Sequence, residues 1–357
     1  MVPIFIASNS GYSGKTLLVL GLALKLQESG YSVGYIKPIG KSPVKLGSGV
    51  YDSDALFIKE ALSLSDPLEV ISPFVYSFET WGRIFSGEVK DPMRYIKKAV
   101  NAMSDRDFII IGGPGNFFEG AALGLDSRRM ISRLKAAVLL VQAWRGDLSM
   151  DIFLGARSLL KENLLGGIIN KVPSSSLNHV REGVKPFLEK SGVDVFGIFE
   201  KDRLLEAVPI RELVEILNGK VLCCEDRLED FVEHFSIGAM DVDSALSHFR
   251  RTPNKAVITG AHRSDIQLAA METSTKCIIL TGGLYTNDVV LGKAIAKGIP
   301  IISVSDDTFT TMDRIEGIMG KSRIRDLGKI TRAKQLMDSS FDMERFLGKV
   351  KMTRGRA

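Results

Sequence analysis

The sequence predicts an α/β protein, a doubly wound, mostly parallel sheet followed by a smaller α/β unit. Three observations carry this. Short apolar runs alternate with amphipathic stretches over about the first 200 residues. The stretch SNSGYSGKT (8–16) separates the first apolar run from the first helical one. Further on, a Thr-Gly pair closes two apolar runs, at Thr259-Gly260 and again at Thr281-Gly282.

In chain order, PIFIAS (3–8) reads as a strand and LLVLGLALKLQES (17–29) as the helix after it. The next strands are SVGYIKP (32–38), FIIIGG (108–113) and AAVLLVQA (136–143). DIFLGARSLLKENL (151–164) is helical, and LGGIINKV (165–172) and VDVFGIF (193–199) complete the series. These runs are apolar at consecutive positions rather than alternating. That is the pattern of strands covered on both faces, hence of a parallel sheet between helices. After Pro209, IRELVEIL is helical and KVLCCED is a strand. Three strand–turn–helix units come next, AVITG with DIQLAAMET, CIILTGG with DVVLGKAIAKG, and IPIISVS with DDTFTTMDRIEGI. Their strand C-termini share one edge of a small sheet, the edge where open α/β sheets bind ligands.

At 357 residues, with 45% hydrophobic and 25% charged residues, the chain can fill two cores. It opens directly on a strand, with no leader-like segment and no run long enough for a membrane helix, so a cytoplasmic protein is expected. The adjacent Cys223 and Cys224, and Cys277 inside CIIL, read as small buried hydrophobes. From Lys321 onward, eleven Lys/Arg face four Asp/Glu. Its last stretch, KVKMTRGRA (349–357), reads as a frayed tail, and this basic end lacks the interleaved aromatics of a nucleic-acid surface. Neither nucleic acid nor membrane is expected as a partner.

The chemistry concentrates in residues 8–16. Backbone N–H groups at a helix N-terminus converge on an anion. Gly11 and Gly14 give the turn its freedom, Lys15 supplies a charge for the β- and γ-phosphates, and Thr16 a hydroxyl for Mg²⁺. The strict phosphate-loop pattern wants Gly at position 9 and finds Asn9.

With these residues in view, the first half resembles the dethiobiotin synthetase-like branch of P-loop proteins, which includes the cobyrinic acid a,c-diamide synthases. In that branch the leading Gly stands six positions before the Gly of GK[ST], here Ser8. The resemblance implies ATP and Mg²⁺ as cofactors. It implies Gly11, Tyr12, Ser13, Gly14, Lys15, Thr16 and Leu17 as the phosphate-binding set, and Asn170 in IINKVP as the reader of the base. Thr16 and Asp54 in DSDAL are the implied metal ligands, and Lys15 and Lys37 of the Lys37-Pro38 element the implied catalytic residues. From the residues alone, Asp52 and Asp54 serve equally well as an N-cap and a first-turn acid of ALFIKEAL. Gly112 stands where ligases of this branch carry a Mg²⁺-binding glutamate. Glu119 reads as a solvated loop carboxylate, with a reach back to the site as the alternative.

The second half is similar to the DRTGG domain, written here as GAHRSDIQLAA, ILTGG and GIPIISVSDDTF. His262 reads as a surface-loop residue. Arg263 and the N–H groups of Gly282 and Gly283 suit a small anionic ligand, or the glycines only close the turn. The pairing resembles the N-terminal regulatory part of long phosphotransacetylases and covers about residues 1–330. The stretch beyond Gly320 is too short for the acetyltransferase domain, which implies a free-standing regulatory part. The expected divisions are a P-loop domain at 1–203, a DRTGG domain at 204–332 and a basic helix or tail at 333–357, in a homodimer. The expected function is that of an ATP/Mg-binding regulatory or sensor protein. An ATP-dependent carbon–nitrogen ligase acting through an acyl phosphate is the alternative, and a scaffold with a decayed site the third reading.

Overall fold

A computed structural model describes residues 1–11, 13–47, 49–318 and 327–354. The chain divides into two compact units, Met1–Lys201 with Ile324–Ala357, and Asp202–Arg323.

The first unit is built on six strands, β1 (Val2–Ala7), β2 (Val33–Ile36), β3 (Phe108–Gly112), β4 (Ala137–Ala143), β5 (Leu164–Val172) and β6 (Val195–Glu200). They pair in the order β2-β3-β1-β4-β5-β6, all parallel. All seven residues of β4 are buried, Gln142 among them, as a mostly apolar run covered on both faces requires. The chain fills one side of β1 and then crosses to the other. The C-terminal end of β1, between β3 and β4, is therefore the topological switch point where this architecture opens a crevice.

Helix α1 (Lys15–Glu28) starts at that crevice. It buries Leu17, Leu18, Val19, Leu20, Gly21, Leu22, Ala23 and Leu26, an apolar surface on all sides that needs cover on all sides. Helix α2 (Ser53–Ala61) comes directly after a hairpin of Pro43–Leu46 and Gly49–Asp52.

The second unit holds β7 (Lys220–Cys223), β8 (His234–Ile237), β9 (Lys255–Gly260), β10 (Thr275–Thr281) and β11 (Ile301–Ser303), with α3 (Ser264–Met271) and α4 (Asp288–Lys297). The strand order is β7-β11-β10-β9-β8, with only β7 antiparallel to its neighbour. Residues of β9 alternate between two cores, Ala256 and Ile258 in one and Val257 in the other, so the sheet is covered on both faces. Strand β8 was not expected from the sequence. Four residues with only Ser236 buried give no apolar run to detect.

Residues 327–354 form α5 (Leu327–Ser340) and α6 (Met343–Arg354). Of the stretch 349–357 expected to fray, residues 349–354 are helical instead, and 355–357 lie outside the described residues. Phe346 and Val350 are buried, and Arg345 and Lys349 pair with Glu189 and Asp194. The basic character of this end is thus spent in part on neutralising acids of the first unit. No helix among the described residues is long and apolar enough to cross a membrane.

Candidate functional site

Gly14 caps α1 in the left-handed region, φ 100° and ψ 19°, and no side chain caps the helix. The N–H groups of its first turn have no side-chain cap and are open to an anion. A Cβ at Gly14 would lie 2.0 Å from Asn170 Nδ2. Asn170 is buried at the end of β5 and donates to the Ser13 carbonyl at 2.9 Å. Strand β5 thus braces the loop from below. Replacing Gly14 by alanine combines an unfavourable φ with a collision against a fixed amide. We expect it to destabilise the first unit by about 1–3 kcal/mol, and Asn170→Ala in the same chain to relieve the steric part. Tryptophan fluorescence during urea unfolding measures both.

Lys15 Nζ donates to Ser8 Oγ at 2.6 Å and lies 3.5 Å from the carbonyls of Ser10 and Gly115. No carboxylate pairs with it among the described residues. Its pKa is lowered from 10.5 to about 8, first by burial and then by the nearby Lys41, with Glu119 acting in the opposite sense. Ser8, at the position of the family's leading Gly, keeps a strand-end hydroxyl on the lysine, and Ser10 and Ser13 hydrogen-bond each other at 2.9 Å. Thr16 is exposed and Leu17 buried in the first turn of α1, while Gly11 is exposed in the loop. Tyr12 lies outside the described residues.

Lys37, just past β2, sits between Asp52 at 2.7 Å and Asp54 at 2.8 Å. Asp52 is fully buried and caps α2 through the N–H groups of Asp54 and Ala55, each at 3.0 Å. It also accepts from the N–H groups of Lys41 and Ser42. Asp54 stands in the first turn of the helix. The cap reading of this pair and its convergence with Lys37 hold together.

Glu119 departs from the expectation of a solvated loop acid. Its carboxylate accepts the N–H of Gly115 at 2.8 Å and pairs with Lys41 at 2.9 Å. The cause is a local turn in which Asn116 Oδ1 accepts the N–H groups of Phe118 and Glu119, reversing the chain towards β3. An asparagine three residues before the glutamate was the available signal. Gly112 also gains a physical reason, since a Cβ there would lie 3.0 Å from the hydroxyl of the buried Tyr35. Any side chain at this position, such as the glutamate the resemblance led one to expect, would press on that ring. Lys41, Gly115 and the Ser8 hydroxyl, all beside Lys15, were not singled out from the sequence. Among the described residues no cluster of three or more His, Cys, Asp or Glu could hold a metal ion. Of the two implied metal ligands, Thr16 keeps an exposed hydroxyl, while the Asp54 carboxylate is paired with Lys37.

In the second unit the expected anion donors are used internally. Gly282 N–H donates to Asp306 O at 2.9 Å and Gly283 N–H to Val304 O at 2.8 Å. Arg263 is held by both Asp265 oxygens at 3.0 Å and by the Met240 carbonyl at 2.9 Å. The glycines therefore close the turn, which is the second of the two readings. His262 is exposed, as expected.

A parallel sheet with a Gly-Lys-Thr turn and a buried lysine at its switch point defines a P-loop nucleotide-binding fold. The AAA domain family matches residues 3–208, more than half of the chain, and the chain belongs to it. The DRTGG domain matches residues 212–318. This order agrees with the N-terminal region of long phosphotransacetylases. The phosphate acetyltransferase of Synechocystis sp. is 26% identical over 376 residues, 99% of this chain and 52% of that protein. The ATP-dependent dethiobiotin synthetase BioD of Aeromonas hydrophila is 24% identical over 196 residues, 50% of this chain and 82% of that protein. The cell division ATPase MinD of Pyrococcus furiosus matches in structure with a TM-score of 0.37 and 18% identity, over 59% of this chain and 86% of that one. The chain spans about half the length of the phosphate acetyltransferases it matches.

Proposed function

We propose that the chain is an ATP/Mg-binding regulatory protein, in which nucleotide at residues 11–17 biases the state of the DRTGG unit. One observation carries the reading. Lys15 is a desolvated ammonium at the N-terminus of a 14-residue helix, with no acid of its own among the described residues. A phosphate supplies the missing charge, and Thr16 and Asp54 are the residues that would hold Mg²⁺, which neutralises phosphate charge when bound. Asn170, with one amide N–H on Ser13, keeps a second N–H and its carbonyl for a base. A homodimer in the cytoplasm, with a small anionic ligand on the second unit, completes the proposal. Such a ligand needs donors other than Arg263 and the two glycine N–H groups.

Calorimetry with Mg-ATP tests the reading and yields a second number. Free Lys15 titrates at about 8, and a bound phosphate raises that value, so binding takes up protons. Near pH 8, about half a proton per site is expected, read from titrations in buffers of different ionisation enthalpy. Uptake vanishes below pH 6, where the ammonium is already formed. Absence of saturable heat would leave a scaffold with a decayed site.

Glu119 favours a second reading, an ATP-dependent ligase, because it returns a carboxylate to the loop after β3. Release of phosphate from ATP that rises on adding one small carboxylic acid would select it over regulation.

A further inference from the structure

The helix Ser127–Leu134 and the helix Ser149–Leu160 lead into the starts of β4 and β5, the edge of the first sheet opposite the phosphate loop. Residues of the first helix and of the turn Lys161–Asn163 line a cavity of about 360 Å³ at this edge. Arg128, Arg129, Arg133 and Lys161 face a single carboxylate there, Glu162, so four cations less one anion leave a net of +3. The whole chain carries only +5. Arg129 is paired with Asp126 at 3.2 Å, and Arg128, Arg133 and Lys161 have no ion-pair partner among the described residues. Ile131 and Leu160 are buried in the wall, and Leu159 is 43% exposed beside them.

Local stability does not explain this collection of charge. Helix C-termini favour cations, which accounts for Arg133 and for Arg157, whose guanidinium donates to the Lys161 carbonyl at 2.6 Å. Arg128 stands instead in the first turn of its helix, where a positive charge opposes the helix dipole and no acid follows the Asp126 cap. Arg129 and Arg133 are four positions apart, a like-charge spacing that also costs the helix. Lys161 holds φ 51° and ψ −125°, a conformation that suits glycine. Asn163 fixes the turn by donating to the Ala136 carbonyl at 3.2 Å. Charge gathered against local preference marks a place where a ligand supplies the compensation.

We propose that this cavity is a second anion site, which takes a small organic molecule carrying two phosphate groups. Three unpaired cations call for more charge than one carboxylate carries, and guanidinium groups match phosphate oxygens in pairs. The wall of Ile131, Leu159 and Leu160 covers a carbon skeleton, which inorganic polyphosphate lacks. The volume falls at the lower end of the range for small-molecule sites. Strand β4 is seven residues long, so about 20 Å separates this site from the switch point. The two ligands therefore do not compete, and neither site needs the other to be filled.

Calorimetry of the full chain without Mg²⁺, with fructose 1,6-bisphosphate and sodium tripolyphosphate as probes, tests this. Because either probe can also enter the phosphate loop, the titrations are made in Lys15→Ala. One saturable site should remain there, with the bisphosphate the tighter of the two. Adding Arg128→Gln and Arg133→Gln should weaken it about tenfold, as the loss of two partly exposed charge contacts does. Both arginines are exposed, so folding is not at stake. Lys161→Gly should also weaken binding, yet leave the urea midpoint at or above that of its parent, since glycine holds this backbone without strain. Tighter binding of tripolyphosphate would keep the site and overturn the organic occupant. Absence of saturable heat with both probes, or an unchanged affinity once Arg128 and Arg133 are replaced, overturns the proposal. Neither result bears on the binding of Mg-ATP at Lys15.

Discussion

Lys15→Ala should weaken Mg-ATP binding by about a hundredfold and leave the protein at least as stable as before. The binding loss comes from removing the charged partner of a desolvated phosphate, which costs roughly 3 kcal/mol, or about two decades in Kd. Stability should move the other way because the empty site holds an ammonium that burial disfavours. The sign is fixed by the titration. Lys15 is lowered in the folded protein to about 8 from an ordinary 10.5. The burial cost is therefore present in full below pH 8, relieved as pH rises from 8 towards 10.5, and gone above it. Alanine carries no such cost at any pH. The natural protein should gain thermal stability relative to Lys15→Ala between pH 7 and 10, with the two approaching each other at the top of that range. Lys15→Arg should fail to restore binding, since a planar fork does not replace a compact ammonium inside a tight turn. Calorimetry and thermal melts on the same samples separate the two effects. Loss of binding together with loss of stability would make Lys15 a structural residue.

The strands of the parallel sheet were legible because each one shows in its own local run, although their pairing joins distant residues. Val138–Val141 and Ile109–Ile111 are apolar without interruption, and only a strand covered on both faces tolerates that. The loop was legible for the same reason, since SNSGYSGKT is contiguous. The site around it was less so. Glu119 reaches Lys41 across 78 positions, and the turn at Asn116 that sends it there is one of several a Gly-Asn-Phe-Phe stretch can adopt. Lys41 itself lies beside Lys15 only because the Asp52 carboxylate gathers the N–H groups of residues 41 and 42. The fate of residues 327–354 was hidden by their charge. The hydrophobic face of α5 is narrow, and its partner is a helix three hundred positions earlier whose glycine leaves room for it. In the second unit the motif glycines could be read as anion donors or as turn closers, because sequence shows that N–H groups exist and not where they point.

Asp52→Ala is the substitution expected to cost the most stability, about 3–5 kcal/mol in the first unit. Asp52 is fully buried, yet its two oxygens serve five donors. Oδ1 accepts from Asp54 N–H, Ala55 N–H and Lys37 Nζ, and Oδ2 from Lys41 N–H and Ser42 N–H. Alanine removes a helix cap, which alone costs about 1 kcal/mol. It also strands two turn amides and leaves Lys37 with Asp54 only, and buried donors without partners cost about 1–3 kcal/mol each where water cannot reach them. Marginal stabilities of about 5–15 kcal/mol make this a large fraction of the total. Both tryptophans, Trp81 and Trp144, lie in the first unit, so their fluorescence during urea unfolding reports that unit. A lowered midpoint with an unchanged slope is the expected result. Asp52→Asn keeps the shape but loses the charge and turns an N–H towards donors, so it should recover less than half of the loss. A midpoint shift worth less than about 1 kcal/mol in Asp52→Ala would mean that water replaces the carboxylate.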